Sequence, residues 1–152
     1  MNQRSFLFIA TSICFILIIA SCEKEENETL ISSHNSNESH NMGQDCMECH
    51  KKGGGGEGWF VVAGTVYDSL KQNTISNITI ELRSEPNGAG TLKYTLFGDS
   101  KGNFYTTENI DFGNGLYTLV KSSQSIKYMS GSISTGKCNS CHGNSTDRIW
   151  IK

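Results

Sequence analysis

The chain has little charge, a single proline and no long apolar run beyond residue 20. Charged residues are 18% of its 152 positions, aromatics are 9%, and the formal net charge is −2. No basic run or stripe occurs, which argues against nucleic acid as a partner. One of the 13 basic residues, Arg4, precedes Cys22, and all 15 acidic residues follow it, so the remainder of the chain is mildly acidic. That balance suits a basic or dipolar protein partner, and equally plain solubility. One proline against 16 glycines, with many Ser, Thr and Asn, predicts short strands and turns rather than helices. Such a chain has a small core of its own.

The one continuous apolar stretch, Phe6 to Ala20, is interrupted only by Thr11 and Ser12 and follows Arg4. It has the length of a secretory signal and is short for a membrane span. Its end, Ile19-Ala20-Ser21-Cys22, resembles the lipobox of bacterial lipoproteins. The resemblance implies a signal peptide over residues 1–21, lipid on Cys22 and attachment to a membrane. Several acyl chains on one residue would anchor stably, where one alone is marginal. Glu23-Lys24-Glu25-Glu26 resembles the surface-export signals of some Bacteroidetes lipoproteins, which points to the outer membrane of a bacterial cell envelope. Residues 22–45 hold few apolar side chains and are expected to form a flexible tether.

Cys46-Met47-Glu48-Cys49-His50 and Cys138-Asn139-Ser140-Cys141-His142 share one pattern: two thiols three positions apart, with an imidazole directly after the second. This is the pattern of c-type haem attachment. The thiols would bond the haem vinyl groups, and His50 and His142 would be axial iron ligands. Two covalently attached haem c groups are therefore expected, on Cys46, Cys49 and His50 and on Cys138, Cys141 and His142. With Cys14 in the signal peptide and Cys22 carrying lipid, the six cysteines are accounted for and none remains for a structural disulfide. The rival readings are a tetrahedral zinc site on the four thiols, or disulfides within or between the pairs.

For the opposite face of each iron, His40, six residues before Cys46, is the best candidate at the first site. Met129, nine residues before Cys138, is the candidate at the second, where a thioether would raise the reduction potential. His34 is an alternative for either, and Met42 and Met47 are weaker. The run Gly53-Gly54-Gly55-Gly56, within the attachment segment 46–58, reads either as a plain linker or as backbone passing close to a porphyrin edge.

From Trp59 the chain alternates β-prone runs with turns. Strands are expected at 59–67, 76–83, 91–97, 103–107, 116–120 and 126–129, with a last one at 149–151. Ile78, Ile80 and Leu82 alternate with Thr79 and Glu81, as in a half-buried strand. The expected fold is mainly β: a small sandwich over residues 59–130, flanked by haem-binding loops, the second over 131–152. Val62–Asp68, Ile75–Leu82, Asp99–Tyr105 and Gly115–Val120 resemble the carboxypeptidase-regulatory-like, transthyretin-like modules of exported proteins, an Ig-like sandwich. The resemblance implies a fold and no activity. The eight aromatics Trp59, Phe60, Tyr67, Phe97, Phe104, Tyr105, Phe112 and Tyr117 are expected in the sandwich core.

These features lead to the expectation of an electron carrier rather than an enzyme, exchanging electrons with protein partners. An enzyme or sensor with an open haem position, and a stapled surface module binding glycan or protein, are the alternatives. Oligomeric state does not follow from the sequence.

Overall fold

The computed structural model describes residues 26–152; the expected signal peptide and Cys22 lie outside them. The chain is mainly β. Its strands are β1 (Val62–Tyr67), β2 (Thr79–Arg83), β3 (Leu92–Phe97), β4 (Asn103–Thr106), β5 (Leu116–Lys121), β6 (Ile126–Ile133), β7 (Gly136–Lys137) and β8 (Ile149–Trp150). A short helix α1 (Cys138–Cys141) separates the last two, and a 3-10 turn covers Cys46–Glu48. Among the described residues no helix is long and apolar enough to cross a membrane.

Two four-stranded sheets form a sandwich. One runs β3-β2-β5-β6, antiparallel throughout. The other centres on β1, with β4 antiparallel to it and both β7 and β8 parallel to it. The core lies between the sheets. Ile78, Ile80 and Leu82 are buried as their alternation predicts, against Val62, Val66, Phe104, Leu116, Val120 and Ile151. Glu81, on the opposite side of β2, is buried too. Lys121 and Arg83 both ion-pair with it, so its charge is compensated rather than exposed. Burial alone would raise the Glu81 carboxyl; its bonds to Lys121 and Arg83 outweigh that and hold it below its usual value.

Two expected boundaries need correction. The sandwich does not end at residue 130, because β7 and β8, on either side of the second cysteine motif, complete the first sheet. β8 falls within the strand expected at 149–151, whereas β7, two residues that include Gly136, carries too little pattern to be read from sequence. Nor is the described part of the expected tether loose. Asn27 clips onto Trp59 reciprocally: its Nδ2 donates to Trp59 O at 2.8 Å and its Oδ1 accepts from Trp59 N at 2.8 Å. Ser32, fully buried, takes the Tyr105 N–H on its hydroxyl oxygen and donates its own N–H to Tyr105 O. Ile31 bridges to Thr106. The segment thus covers the outer edge of β4, which would otherwise present unpaired backbone groups. These bonds are made by backbone and small polar side chains, so an apolar count does not reveal them.

Of the aromatics, Phe104 lies at the centre of the core, whereas Phe97 is 42% exposed. Phe60 is buried at the edge of the first site.

Candidate cofactor site

Both cysteine motifs pack against β1, the first through its 3-10 turn and the second through α1. The local folds are alike. Asp45 caps the first turn, accepting the Met47 N–H on its carboxylate, and Cys46 O accepts from His50 N at 2.9 Å. In the second motif Cys138 O accepts from His142 N at 2.9 Å. Each motif is therefore wound into a single turn that brings the histidine back beside its cysteines. All four cysteines are free thiols. Cys49 and Cys141 are exposed, while Cys46 and Cys138 are partly covered.

The two histidines are held in the same way. His50 Nδ1 is 2.8 Å from Glu57 O, and His142 Nδ1 is 2.8 Å from Asp147 O. A carbonyl oxygen only accepts, so in both rings Nδ1 carries a proton, and in the neutral ring the lone pair lies on Nε2. This is the tautomer of a histidine ready to ligate a metal, with its second nitrogen fixed by an outer hydrogen bond.

His50 is further confined between two faces. Phe60 stacks on it, with ring centroids 4.2 Å apart and planes 7° from parallel, and Tyr105 stacks on Phe60 at 4.8 Å. Against the same ring runs Gly56, where a Cβ would lie 2.8 Å from His50 Cγ and Nδ1. Gly54 is packed as tightly, since a Cβ there would stand 2.9 Å from Lys51 O. The glycine run is thus a close wrap around the first motif rather than a plain linker. Phe60 has a role that the pattern of core aromatics does not disclose. An aromatic ten residues after the motif histidine is the one sequence signal that points to it.

His40 joins His50 in lining a cavity of about 190 Å³, together with Cys46, Cys49, Phe60 and Tyr105. The His40 and His50 ring centroids are 5.8 Å apart, inclined by 38°. Two imidazoles sharing one metal ion through bonds of about 2 Å sit at a comparable separation. His34 is elsewhere: its Nε2 donates to Ile78 O at 3.2 Å and its ring meets Phe97 edge-on. Met42 and Met47 line neither cavity.

The second motif opens on a larger cavity of about 490 Å³, lined by Cys138, Cys141, His142, Met129, Tyr128 and Trp150 among others. Met129, 36% exposed on β6, is therefore on the same cavity as His142. Thr118, which also lines it, has a buried hydroxyl with no hydrogen-bond partner. Lys127 sits over the Trp150 ring, 2.9 Å from its centroid, leaving a cation at the cavity wall. Desolvation pushes the Cys138 thiol up to about 12, with smaller contributions from Cys46, Asp45 and Cys141. Cys46 is likewise raised, mainly by burial.

The donor set in each place suits a covalently attached haem: two free thiols on one turn, a histidine with Nε2 available and an adjoining cavity. Among the described residues, no three His, Cys, Asp or Glu side chains gather as a bare metal ion would require. Comparison with protein-family models, characterised proteins and solved structures returned no match.

Proposed function

We propose that this chain is a dihaem c-type electron carrier of the bacterial cell envelope, anchored to the outer membrane by lipid on Cys22 and serving redox protein partners. The observation that carries this reading is the shared state of His50 and His142. Two separate segments, each following a Cys-x-x-Cys pair, hold Nδ1 protonated on a backbone carbonyl and leave Nε2 bare. A zinc staple would need the thiols to converge, and the two pairs do not form such a group.

Haem, when bound, supplies an iron that alternates between ferric and ferrous states without any substrate being transformed. The chain's part is to fix its ligands. Glu57 O and Asp147 O set the tautomers and make each Nε2 a better donor. Phe60 and Gly56 fix the plane of the His50 ring. His40, its ring centroid 5.8 Å from that of His50, would supply the second iron ligand at the first site. Among the described residues, Met129 is the only thioether lining the cavity of the second.

A second reading attaches to that cavity. It is the larger of the two, and among the described residues His142 is the only histidine lining it. With Met129 not ligating, this cavity would admit an external ligand, and the chain would serve as a sensor or enzyme.

The test is a haem count and a reduced-minus-oxidised visible spectrum on protein matured with c-type machinery. Two covalent haems, both low-spin in each state, are expected. A high-spin component that shifts with carbon monoxide would select the sensor or enzyme. A colourless protein would refute both.

A further inference from the structure

We infer that Asn139 is a positioning residue that bolts the two cysteine motifs into one unit, so that cofactors on them sense each other's charge and exchange electrons within the molecule. The inference rests on the dihaem reading above.

The edge of β1 explains why this residue matters. β7 pairs with Val62 and Ala63, and β8 pairs with Val66 and Tyr67. Between them, on the edge of β1 opposite β4, no strand lies alongside Gly64 and Thr65, because the chain leaves the sheet there to form the second motif. The Asn139 side chain takes the strand's place. Its Oδ1 accepts from Thr65 N at 3.1 Å, and its Nδ2 donates to Thr65 Oγ1 at 3.0 Å. The same Nδ2 donates to Gln44 O at 2.8 Å, two residues before Cys46. Asn139 itself lies between Cys138 and Cys141.

Thr65 carries the connection onward, accepting the Gly43 N–H at 2.9 Å and donating to Asn103 Oδ1 at 2.6 Å. Asn139, Thr65 and Asn103 are all buried. A buried network with its amide atoms satisfied holds one geometry, because any slip strands a polar group away from water. Outside it, Lys137 reaches Glu48 Oε1 at 3.4 Å and Asp45 Oδ2 at 3.8 Å, tying the second motif to the first again. Gly64 makes the approach of the second motif to β1 possible: a Cβ there would meet Cys138 Cβ at 2.9 Å.

Two charge-changing groups carried on motifs joined in this way would not titrate independently. Adding an electron to one makes adding the next harder. The internal step is a one-electron exchange, in which one haem is oxidised as the other is reduced, with no proton or co-reactant.

The experiment uses holoprotein with its haem count measured first. Visible circular dichroism is followed through a potentiometric titration. A two-signed Soret couplet and two separated reduction steps are expected. In Asn139→Ala the couplet should fall severalfold while both haems and their ligand bands remain, and exchange of the Thr65 amide should quicken. Asn139→Asp, which keeps the acceptor for Thr65 N and removes the donor to Gln44, serves if the alanine variant does not fold. A single-signed band from wild-type protein with two haems would overturn the inference. So would an undiminished couplet in a folded variant with a freely exchanging Thr65 amide. Protein without haem would refute the dihaem reading instead.

Discussion

Replacing single glycines in the run Gly53–Gly56 separates a wrap from a linker. At Gly56 a new Cβ would lie 2.8 Å from two atoms of the His50 ring and 2.9 Å from a third. The ring cannot retreat, because Phe60 is stacked at 4.2 Å and Nδ1 is tied to Glu57 O. At Gly54 the obstacle is backbone, Lys51 O at 2.9 Å and Cys49 C at 3.0 Å, which yields still less. Gly55 has nothing within 4 Å of such a Cβ and does not need a positive φ. Overpacking of this kind costs about 1–3 kcal/mol. Gly→Ala at an unstrained open site instead stabilises by about 0.4–1 kcal/mol, by restricting the unfolded chain. Against a total stability of about 5–15 kcal/mol, both effects are measurable. Urea denaturation followed by circular dichroism should therefore show Gly54→Ala and Gly56→Ala with lowered midpoints and Gly55→Ala with an unchanged or raised one, at constant m-value. In haem-loaded protein Gly56→Ala should also perturb the ligand bands of one haem and spare the other. Equal midpoints for all three variants would refute the wrap and restore the linker.

Two more outcomes follow from the same structure. Glu81 has a folded-state pKa below its unfolded value, so its contribution is complete above about pH 4.3 and is lost as pH falls through the lower, folded value. Thermal melts from neutral pH to about pH 3 should show that loss, and Glu81→Gln should flatten it while lowering stability at pH 7 by about 1–2 kcal/mol; an unchanged slope in the variant would assign the acid sensitivity elsewhere. In holoprotein, His40→Ala should make one haem high-spin and carbon-monoxide-reactive, and Met129→Ala should lower one reduction potential, since a thioether ligand raises it; visible spectra and potentiometry check both, and silence in either variant removes that residue from the ligand set.

The parts of this molecule legible in sequence are those written as periodicity or fixed spacing. Ile78, Ile80 and Leu82 announce β2 because side chains in a strand alternate between faces. The cysteine motifs are legible because thiol, thiol and imidazole occur at one spacing twice. Ser32, Asn27 and Asn139 are not. Each acts through two or three hydrogen bonds to partners 32 to 95 positions away, and a lone small polar residue looks the same whether it is buried or solvated. Glu81 misleads for a related reason: its polar character predicts exposure, whereas its cations come from the neighbouring strand and from two residues along its own. The glycine run was ambiguous because glycine marks both freedom and close approach, and only the distances around Gly54 and Gly56 distinguish them.

The clip between Asn27 and Trp59 also sets a leash. Only four residues, Glu23 to Glu26, separate Asn27 from Cys22. At roughly 3.3–3.6 Å per residue, five steps of fully extended chain reach about 18 Å at most. A lipid on Cys22 would keep the Trp59 end of the sandwich within that distance of the headgroups, with Lys52 lying over the Trp59 ring beside it. The shortness of the chain alone would hold this end down. A carrier so tethered would be held close to the bilayer. Its partners would be those whose own redox centres open near the membrane plane.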